Sequence, residues 1–325
     1  MSNGSILILV VWVISLLSIL AAGLGSQGVS ALSLTDRLSQ QLQASYVASA
    51  AAQRAFAVID GDQTSSYDGM TDEWANRAGL FESQPFDGGQ FTISYQSAGQ
   101  SSSTIFGLID EERKLNINLM PPDVLQAFFE LQGGLKEDAA RDLSQAIIDW
   151  RDADHEKQPY GAESFYYLGR SPSYECKDAP FESVEELLLV RGMTPDLFAQ
   201  VSPWLTVYGS GQVNLNTAGE PVLRALGLSH EAVNAIVFYR AGEDNAQGGA
   251  DDRAFTSVPE ALSSLDLQLS NADKAVLGKL SGKHLLTVQA QAFSMSIDAQ
   301  TDGGGLAHVS CVMDRDGNVL SWTEQ

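Results

Sequence analysis

Residues 5–24 form one nearly unbroken apolar run of Ile, Leu and Val with a single Trp12, and no charge appears before Asp36. As a helix rising about 1.5 Å per residue, such a run spans the roughly 30 Å of a bilayer core. Beyond it the pattern becomes one-sided. Leu34, Leu38, Leu42, Tyr46 and Ala50 recur every four residues, which predicts an apolar stripe along a continuing helix. Gly23, Gly25 and Gly28 lie between the two stretches and weaken the helix there. Together they predict a stalk over residues 5–60, roughly 80 Å long, built to pack beside other stalks as well as to anchor. A secretory signal would have a shorter apolar region, a basic start and a small-residue cleavage site. The opening "MSNG" carries no Lys or Arg.

Further along, the period alternates between two and that of short helices. "QFTISYQ" (90–96) alternates apolar and polar residues, as does part of "HLLTVQAQAFSMSI" (284–297). "LAHVSCVMDRDGNVLSWTE" predicts a hairpin turning at Asp316-Gly317. Between these strand-like regions, a unit occurs twice. "NINLMPPDVLQAF" from Asn116 matches "NLNTAGEPVLRAL" from Asn214, and "AIIDWR" (146–151) matches "AIVFYR" (235–240). "FESVEELL" from Phe181 matches "FTSVPEAL" from Phe255, and each copy then reaches an "LTV", at Leu205 and Leu286. Four matches in one order predict an internal repeat. Thr217/Glu220, Ser183/Glu186 and Ser257/Glu260 have capping-box spacing, Pro121 and Pro122 suit a first turn, and Gly192, Gly227 and Gly242 suit helix ends. The paired asparagines suit turn chemistry, their side chains bonding local backbone.

The expected fold class is therefore α+β: a long N-terminal helix and a small antiparallel sheet interrupted by a large inserted all-α domain. The boundaries are a leader at 1–4, the helix at 5–60 and the first part of the sheet domain at 61–115. The inserted domain covers 116–282, with repeats at 116–207 and 214–282, and the closing strands cover 283–325.

Composition changes this picture in two ways. The 325 residues carry 41 acids against 19 bases, a net charge of −22. That field opposes nucleic-acid backbones and favours cations or basic partners. The two cysteines, Cys176 and Cys311, are far apart in sequence; in an oxidising compartment they could pair.

The acids concentrate where the two repeats differ. Thirty residues separate Arg151 from Phe181, against fifteen from Arg240 to Phe255. The longer connection begins "DWRDAD", with Asp149, Asp152 and Asp154, and Glu163 follows Gly161. Such carboxylates can converge on a hard cation, for which Ca²⁺ wants six to eight oxygens at about 2.3–2.6 Å; they can equally form a solvated acidic loop. His155, without thiolate partners, does not make a closed zinc site. "AGEDNAQGGADDRAF" in the second repeat is acidic and Gly-rich and is expected to be a flexible loop.

The start of the chain resembles the class III leader of type IV pilins and type II secretion pseudopilins, which a prepilin peptidase cuts after a glycine directly before the apolar helix. The resemblance places the cut between Gly4 and Ser5. It also makes Leu9 the fifth mature residue, where most of these proteins have Glu to neutralise a neighbour's N-terminal amine. A subunit with no neighbour above it has no such amine to meet, and a buried unpaired charge is costly. With "LIDEERKLNIN", "IIDWRDADHEKQPYGAESFYYL", "FESVEELLLVRGM" and "VNLNTAGEPVLRAL", nearly the whole chain resembles the general secretion pathway protein K family.

That resemblance implies a pseudopilin fold and a structural, non-enzymatic subunit at the tip of a type II secretion pseudopilus, serving export of folded proteins. It implies single-pass residence in a Gram-negative inner membrane with a periplasmic body. Its implied partners are the I- and J-type minor pseudopilins, the major pseudopilin and the prepilin peptidase, with neither nucleic acid nor a small-molecule substrate. It also implies bound Ca²⁺, with Asp149, Asp152, Asp154 and Glu163 matching the acidic motif. Ser164 stands where the family often has a further acid.

The competing reading comes from "VNLNTAGEPVLRAL" and "FESVEELLLVRGM", which also look like helix-hairpin-helix DNA-binding modules. Those present backbone amides to phosphates from a paired-glycine hairpin. Here the hairpins read "LGLS" and "RGMT" and the net charge is opposed. The four histidines, His155, His230, His284 and His308, fall in no catalytic motif, and no GxSxG, HExxH, P-loop or GxGxxG occurs.

Overall fold

The computed structural model describes residues 3–64, 66–96, 103–243, 251–265 and 268–324, without the side chains of 3–5 and 22–33. A single helix, α1 (Asn3–Asp60), opens the chain. The predicted cleavage pair Gly4–Ser5 lies in its first turns, with side chains outside the described residues. From Ile6 to Leu20 the large apolar side chains are exposed, Leu9 among them. Among the described residues no helix is long and apolar enough to cross a membrane. The described stretch 6–21 would rise only about 24 Å, and the expected run continues into 22–24, beyond it.

The predicted stripe lies on the outward face of α1. Leu34, Leu38, Leu42 and Tyr46 are each more than half exposed. The helix instead buries Ala44, Val47, Ala48, Ala51, Ala52, Ala55 and Ile59. Alanines let the helix backbone approach a pleated sheet closely, so the small face goes inward and the bulky face is left outside.

That sheet comprises β1 (Gln84–Phe86), β2 (Gly89–Gln96), β3 (Thr104–Phe106), β4 (Ile109–Asp110) and three C-terminal strands described below. A single turn, α2 (Ala78–Phe81), precedes it. The helical body follows: β5 (Leu115–Asn116), α3 (Pro122–Leu131), α4 (Glu137–Arg151), α5 (Ser164–Leu168), α6 (Pro195–Val201) and β6 (Leu205–Thr206) form its first half. Its second half contains β7 (Val213–Asn214), α7 (Glu220–Ala225), α8 (His230–Arg240), α9 (Val258–Ser264), α10 (Asn271–Gly282) and β8 (Leu286–Thr287). The chain returns to the sheet as β9 (Ala292–Thr301), β10 (Leu306–Asp314) and β11 (Val319–Glu324).

The antiparallel order is β1-β2-β9-β10-β11, with β3 beside β2 and β4 beside β9. Period-two patterning sets its inner face: Phe91 and Ile93 on β2, and Phe293, Met295, Ile297 and Ala299 on β9, meet the alanine face of α1. The β10–β11 hairpin turns where predicted. Gly317 has φ +83°, a conformation that favours glycine, and Asp314 Oδ1 accepts from the amides of Asp316 and Asn318 at 3.0 and 2.8 Å.

The inserted body has a separate core, and its two halves are built alike. In the first, Asn118 Nδ2 donates to Phe181 O and Asn118 Oδ1 accepts from Phe181 N, at 2.9 and 2.8 Å. In the second, Asn216 and Phe255 exchange the same two bonds, at 2.9 and 2.8 Å. Arg151 donates to the carbonyls of Ile117 and Met120, and Arg240 to those of Leu215 and Ala218. Each half closes with a two-residue parallel pair, β5 with β6 and β7 with β8.

Two sequence expectations change here. Thr217 does not cap α7. Gly219 holds the N-cap position, and the Thr217 hydroxyl donates instead to buried Asp110 at 2.5 Å. Cys176 and Cys311 are both free and buried, the first in the helical core and the second in the sheet core, so the pairing left open by the sequence does not form.

Candidate metal centre

The acidic connection begins at the end of α4, whose apolar face includes Leu143, Ile147 and Trp150. Helical periodicity that buries Trp150 also carries Asp149 inward, where it is fully buried. Below the loop Trp150 packs edge-on against Tyr167, with ring centroids 5.1 Å apart, and stacks on Phe181. This aromatic floor fixes the first part of the loop against the last. Cys176 Sγ lies 3.5 Å from the carbonyl of Asp149, a short contact between the loop's two ends.

Four carboxylates present oxygens that are buried and have no hydrogen-bond partner among the described residues: Asp149 Oδ2, Asp152 Oδ1, Glu163 Oε1 and Asp178 Oδ1. Their other oxygens are engaged where a donor is at hand. Asp149 Oδ1 accepts from the Gln158 amide at 3.0 Å, and Glu163 Oε2 takes that of Ser164 at 3.3 Å. Single ligating atoms of His155, Glu163 and Asp178 lie within 4.8 Å of one another, and His155 Nδ1 is 3.0 Å from Asp178 Oδ2. Gly161 completes the cradle, since a Cβ there would collide with the Asp149 carboxylate.

The electrostatics agree with the geometry. Burial pushes Asp152 up to about 6, and the charges of Asp154, Asp149 and Asp178 add to the rise. Burial likewise raises Asp149 and Glu163, the latter with a contribution from Asp178. Like charges crowded out of water raise one another's pKa, and a cation among them reverses that. Buried acceptors without donors each cost about 1–3 kcal/mol. The all-carboxylate set with one peripheral imidazole fits a hard divalent ion such as Ca²⁺.

The predicted ligands and the carboxylates with orphaned oxygens overlap without coinciding. Asp149, Asp152 and Glu163 each contribute an orphaned oxygen. Asp154 is exposed, and its Oδ1 accepts from the Glu156 amide at 2.8 Å. Asp178, absent from the sequence-based set, reaches the site from the far end of the connection. Its only sequence signal is that it closes the same long insertion.

A second group missed by sequence reasoning joins the two cores. Asp110, Glu111 and Glu112 are all buried. Asp110 Oδ2 accepts from Asn214 Nδ2 at 2.8 Å and from Thr217. Glu111 accepts from Lys114 on one oxygen and from Thr206 on the other, and Ser294 on β9 donates to it as well. Glu112 accepts from the amides of Ser210 and Gln291 at 2.7 and 2.8 Å. One tripeptide thus ties both repeats of the helical body to the sheet.

Residues 112–210, which contain the whole acidic connection, match the family described as Type II secretion system (T2SS), protein K. The Type II secretion system protein K of Pseudomonas aeruginosa is 28% identical over 235 residues, 69% of this chain and 68% of that protein. That of Aeromonas hydrophila is 28% identical over 268 residues, 79% and 76% of the two chains. In fold, the chain resembles one chain of the crystal structure of the GspK-GspI-GspJ complex from the enterotoxigenic Escherichia coli Type 2 Secretion System. The TM-score is 0.68 at 17% identity, covering 91% of this chain and 99% of that one. Matches thus run from the acidic connection across most of the chain's length, and over that length the chain is similar to type II secretion system protein K.

Proposed function

We propose that the chain is a minor pseudopilin that caps the type II secretion pseudopilus, held by α1 in the inner membrane with its body in the periplasm before assembly. The observation that carries this reading is the split character of α1. One face is spent on the chain's own sheet through Ala44 to Ile59, while Ile6 to Leu20 and the row Leu34, Leu38, Leu42 and Tyr46 remain exposed. An apolar surface of that length needs lipid or other helices to cover it. The helical body is bulky enough to crowd a repeated fibre packing, and Leu9 carries no charge for a neighbour's amine, so an end position suits both. Cleavage between Gly4 and Ser5 would free the mature amine, and Ca²⁺ held by Asp149, Asp152, Glu163 and Asp178 would stiffen the loop. The partners are I- and J-type minor pseudopilins and, below them, the major pseudopilin.

Co-purification of the full chain with the I- and J-type proteins of the same organism tests this. A stoichiometric complex is expected. Failure to join them, under conditions where those two pair, would overturn the capping role.

A further inference from the structure

The loop leaving α1 carries a second carboxylate cluster, separate from the helical body's acidic connection. Asp62, Asp68 and Asp72 each place one carboxylate oxygen within 4.8 Å of the others. Asp68 is fully buried and Asp72 is 7% exposed. Donors are too few for them. Asp62 Oδ1 takes both the amide and the hydroxyl of Thr64, at 2.9 and 2.8 Å. That hydroxyl also lies 3.1 Å from Asp72 Oδ1, and its one proton serves one carboxylate at a time. Asp72 Oδ2 accepts from the Gly69 amide at 2.8 Å. Asp68 Oδ2 is satisfied by the Ala290 amide and the Arg315 guanidinium. Asp68 Oδ1 and Asp62 Oδ2 are buried and, among the described residues, have no donor at all.

Charge leads to the same place. Among the described residues the three carboxylates face one guanidinium, Arg315, so full ionisation leaves two negative charges uncompensated beside buried Asp68 and Asp72. Burial pushes Asp68 up to about 6 and raises Asp72, with the charge of Asp62 adding to the latter. Oxygen-only ligands exclude the metals that prefer thiolate or imidazole. A site of several carboxylates on an irregular loop suits calcium better than the strict, water-rich octahedron of magnesium.

We propose that Asp62, Asp68 and Asp72 form a second calcium site at the foot of α1. The ion would join the end of the stalk helix to the two parts of the body that already hold Asp68. Arg315 reaches it from the β10–β11 turn, and Asn214 Nδ2 in the helical body donates to its carbonyl at 3.3 Å.

The test uses the full chain in detergent, with Asp152→Asn and Glu163→Gln silencing the acidic connection. Bound calcium is counted by equilibrium dialysis and elemental mass spectrometry, and folding is followed by circular dichroism. One ion is expected to remain in that background, and Asp62→Asn is expected to weaken it at least tenfold. Asp62 is chosen because its carboxylate is bonded to Thr64 and not to Arg315; Asp72→Asn should do the same. If the background variant does not fold, the comparison is between the natural chain and Asp62→Asn, which should hold one ion fewer. A folded background with no calcium, or an ion indifferent to both substitutions, overturns the proposal.

Discussion

Asn118 and Phe181 are 63 residues apart, yet they exchange two hydrogen bonds between one side-chain amide and one backbone unit. Asn216 and Phe255 repeat the exchange in the second half of the helical body. An amide side chain carries a donor and an acceptor side by side, which matches the N–H and C=O of one peptide residue at any pH. Replacing Asn216, which is 2% exposed, with Ala leaves the Phe255 amide and carbonyl without partners in the core. The expected cost is about 2–4 kcal/mol, from two buried groups at about 1–2 each. Urea denaturation of the chain and of Asn216→Ala measures it. A difference under about 0.5 kcal/mol would mean that water replaces the side chain.

The same pair shows how far the sequence could be read. Both Asn-x-Asn motifs and both Phe-x-Ser motifs are visible as a repeat, so the elements could be set out in order. Their contacts could not, because a hydrogen bond across tens of residues leaves no local period. The alanine face of α1 escaped for a different reason. Alanine contrasts weakly with polar neighbours, so the bulky row of Leu34, Leu38 and Leu42 dominated the pattern although it faces outward. At the acidic connection, Asp149, Asp152 and Glu163 were legible from clustering. Asp178 was not, being brought in by the aromatic floor beneath the loop. Asp110 to Glu112 carry no local signal of the burial that the fold gives them.

The calcium proposed for the acidic connection predicts a stability linkage. An ion bound to the folded chain alone adds about 2.7 kcal/mol at one hundred times its dissociation constant. Adding EDTA should therefore lower the melting temperature, and restoring calcium should recover it. In Asp178→Asn the calcium-dependent part should shrink, because one of the four orphaned oxygens is then neutral. Differential scanning calorimetry with and without calcium checks this. An Asp178→Asn curve with the full calcium shift would remove that residue from the ligand set.

Arg315 on the β10–β11 turn pairs with Asp68, and also donates to the Ala290 carbonyl at 3.0 Å. Asp68 is 0% exposed, so removing the guanidinium strands a buried carboxylate. Breaking one side of such a pair costs about 3–5 kcal/mol. Arg315→Met keeps much of the bulk and should still show most of that loss in a urea midpoint at neutral pH. At pH 5 the loss should be smaller, since a protonated Asp68 no longer needs the cation.

Asp110 sets a pH dependence. Burial pushes it from 3.8 up to about 7, and Glu112 beside it adds to the rise, while hydrogen bonds from Thr217 and Asn214 hold it down. Asp68 also faces it and raises it further. Between about pH 4 and 7 the folded chain keeps a proton that the unfolded chain has released. Asp110 therefore favours the folded state most below that window, and its contribution is lost as pH rises through about 7. Urea midpoints from pH 5 to 8 should fall with pH. Glu112→Gln removes the neighbouring charge and should flatten the slope, even though its amide group meets backbone donors and lowers stability overall. An unchanged slope would show that Asp110 titrates independently of Glu112.

The exposed row on α1 separates folding from assembly. Leu42 is 62% exposed, while Ala44 two residues on is fully buried against the sheet. Leu42→Asp should leave the melting temperature within about 0.5 kcal/mol equivalent, as for most surface substitutions. Ala48→Leu, on the buried face, forces a large side chain between helix and sheet and should cost about 1–3 kcal/mol. If the outer row packs against neighbouring helices, Leu42→Asp should nonetheless reduce recovery of the chain with the proposed I- and J-type partners. An aspartate in an apolar helix interface must be desolvated or protonated. Normal recovery of Leu42→Asp with those partners, from a folded chain, would place their contacts elsewhere on the body and leave the outer row to lipid or to the major subunit.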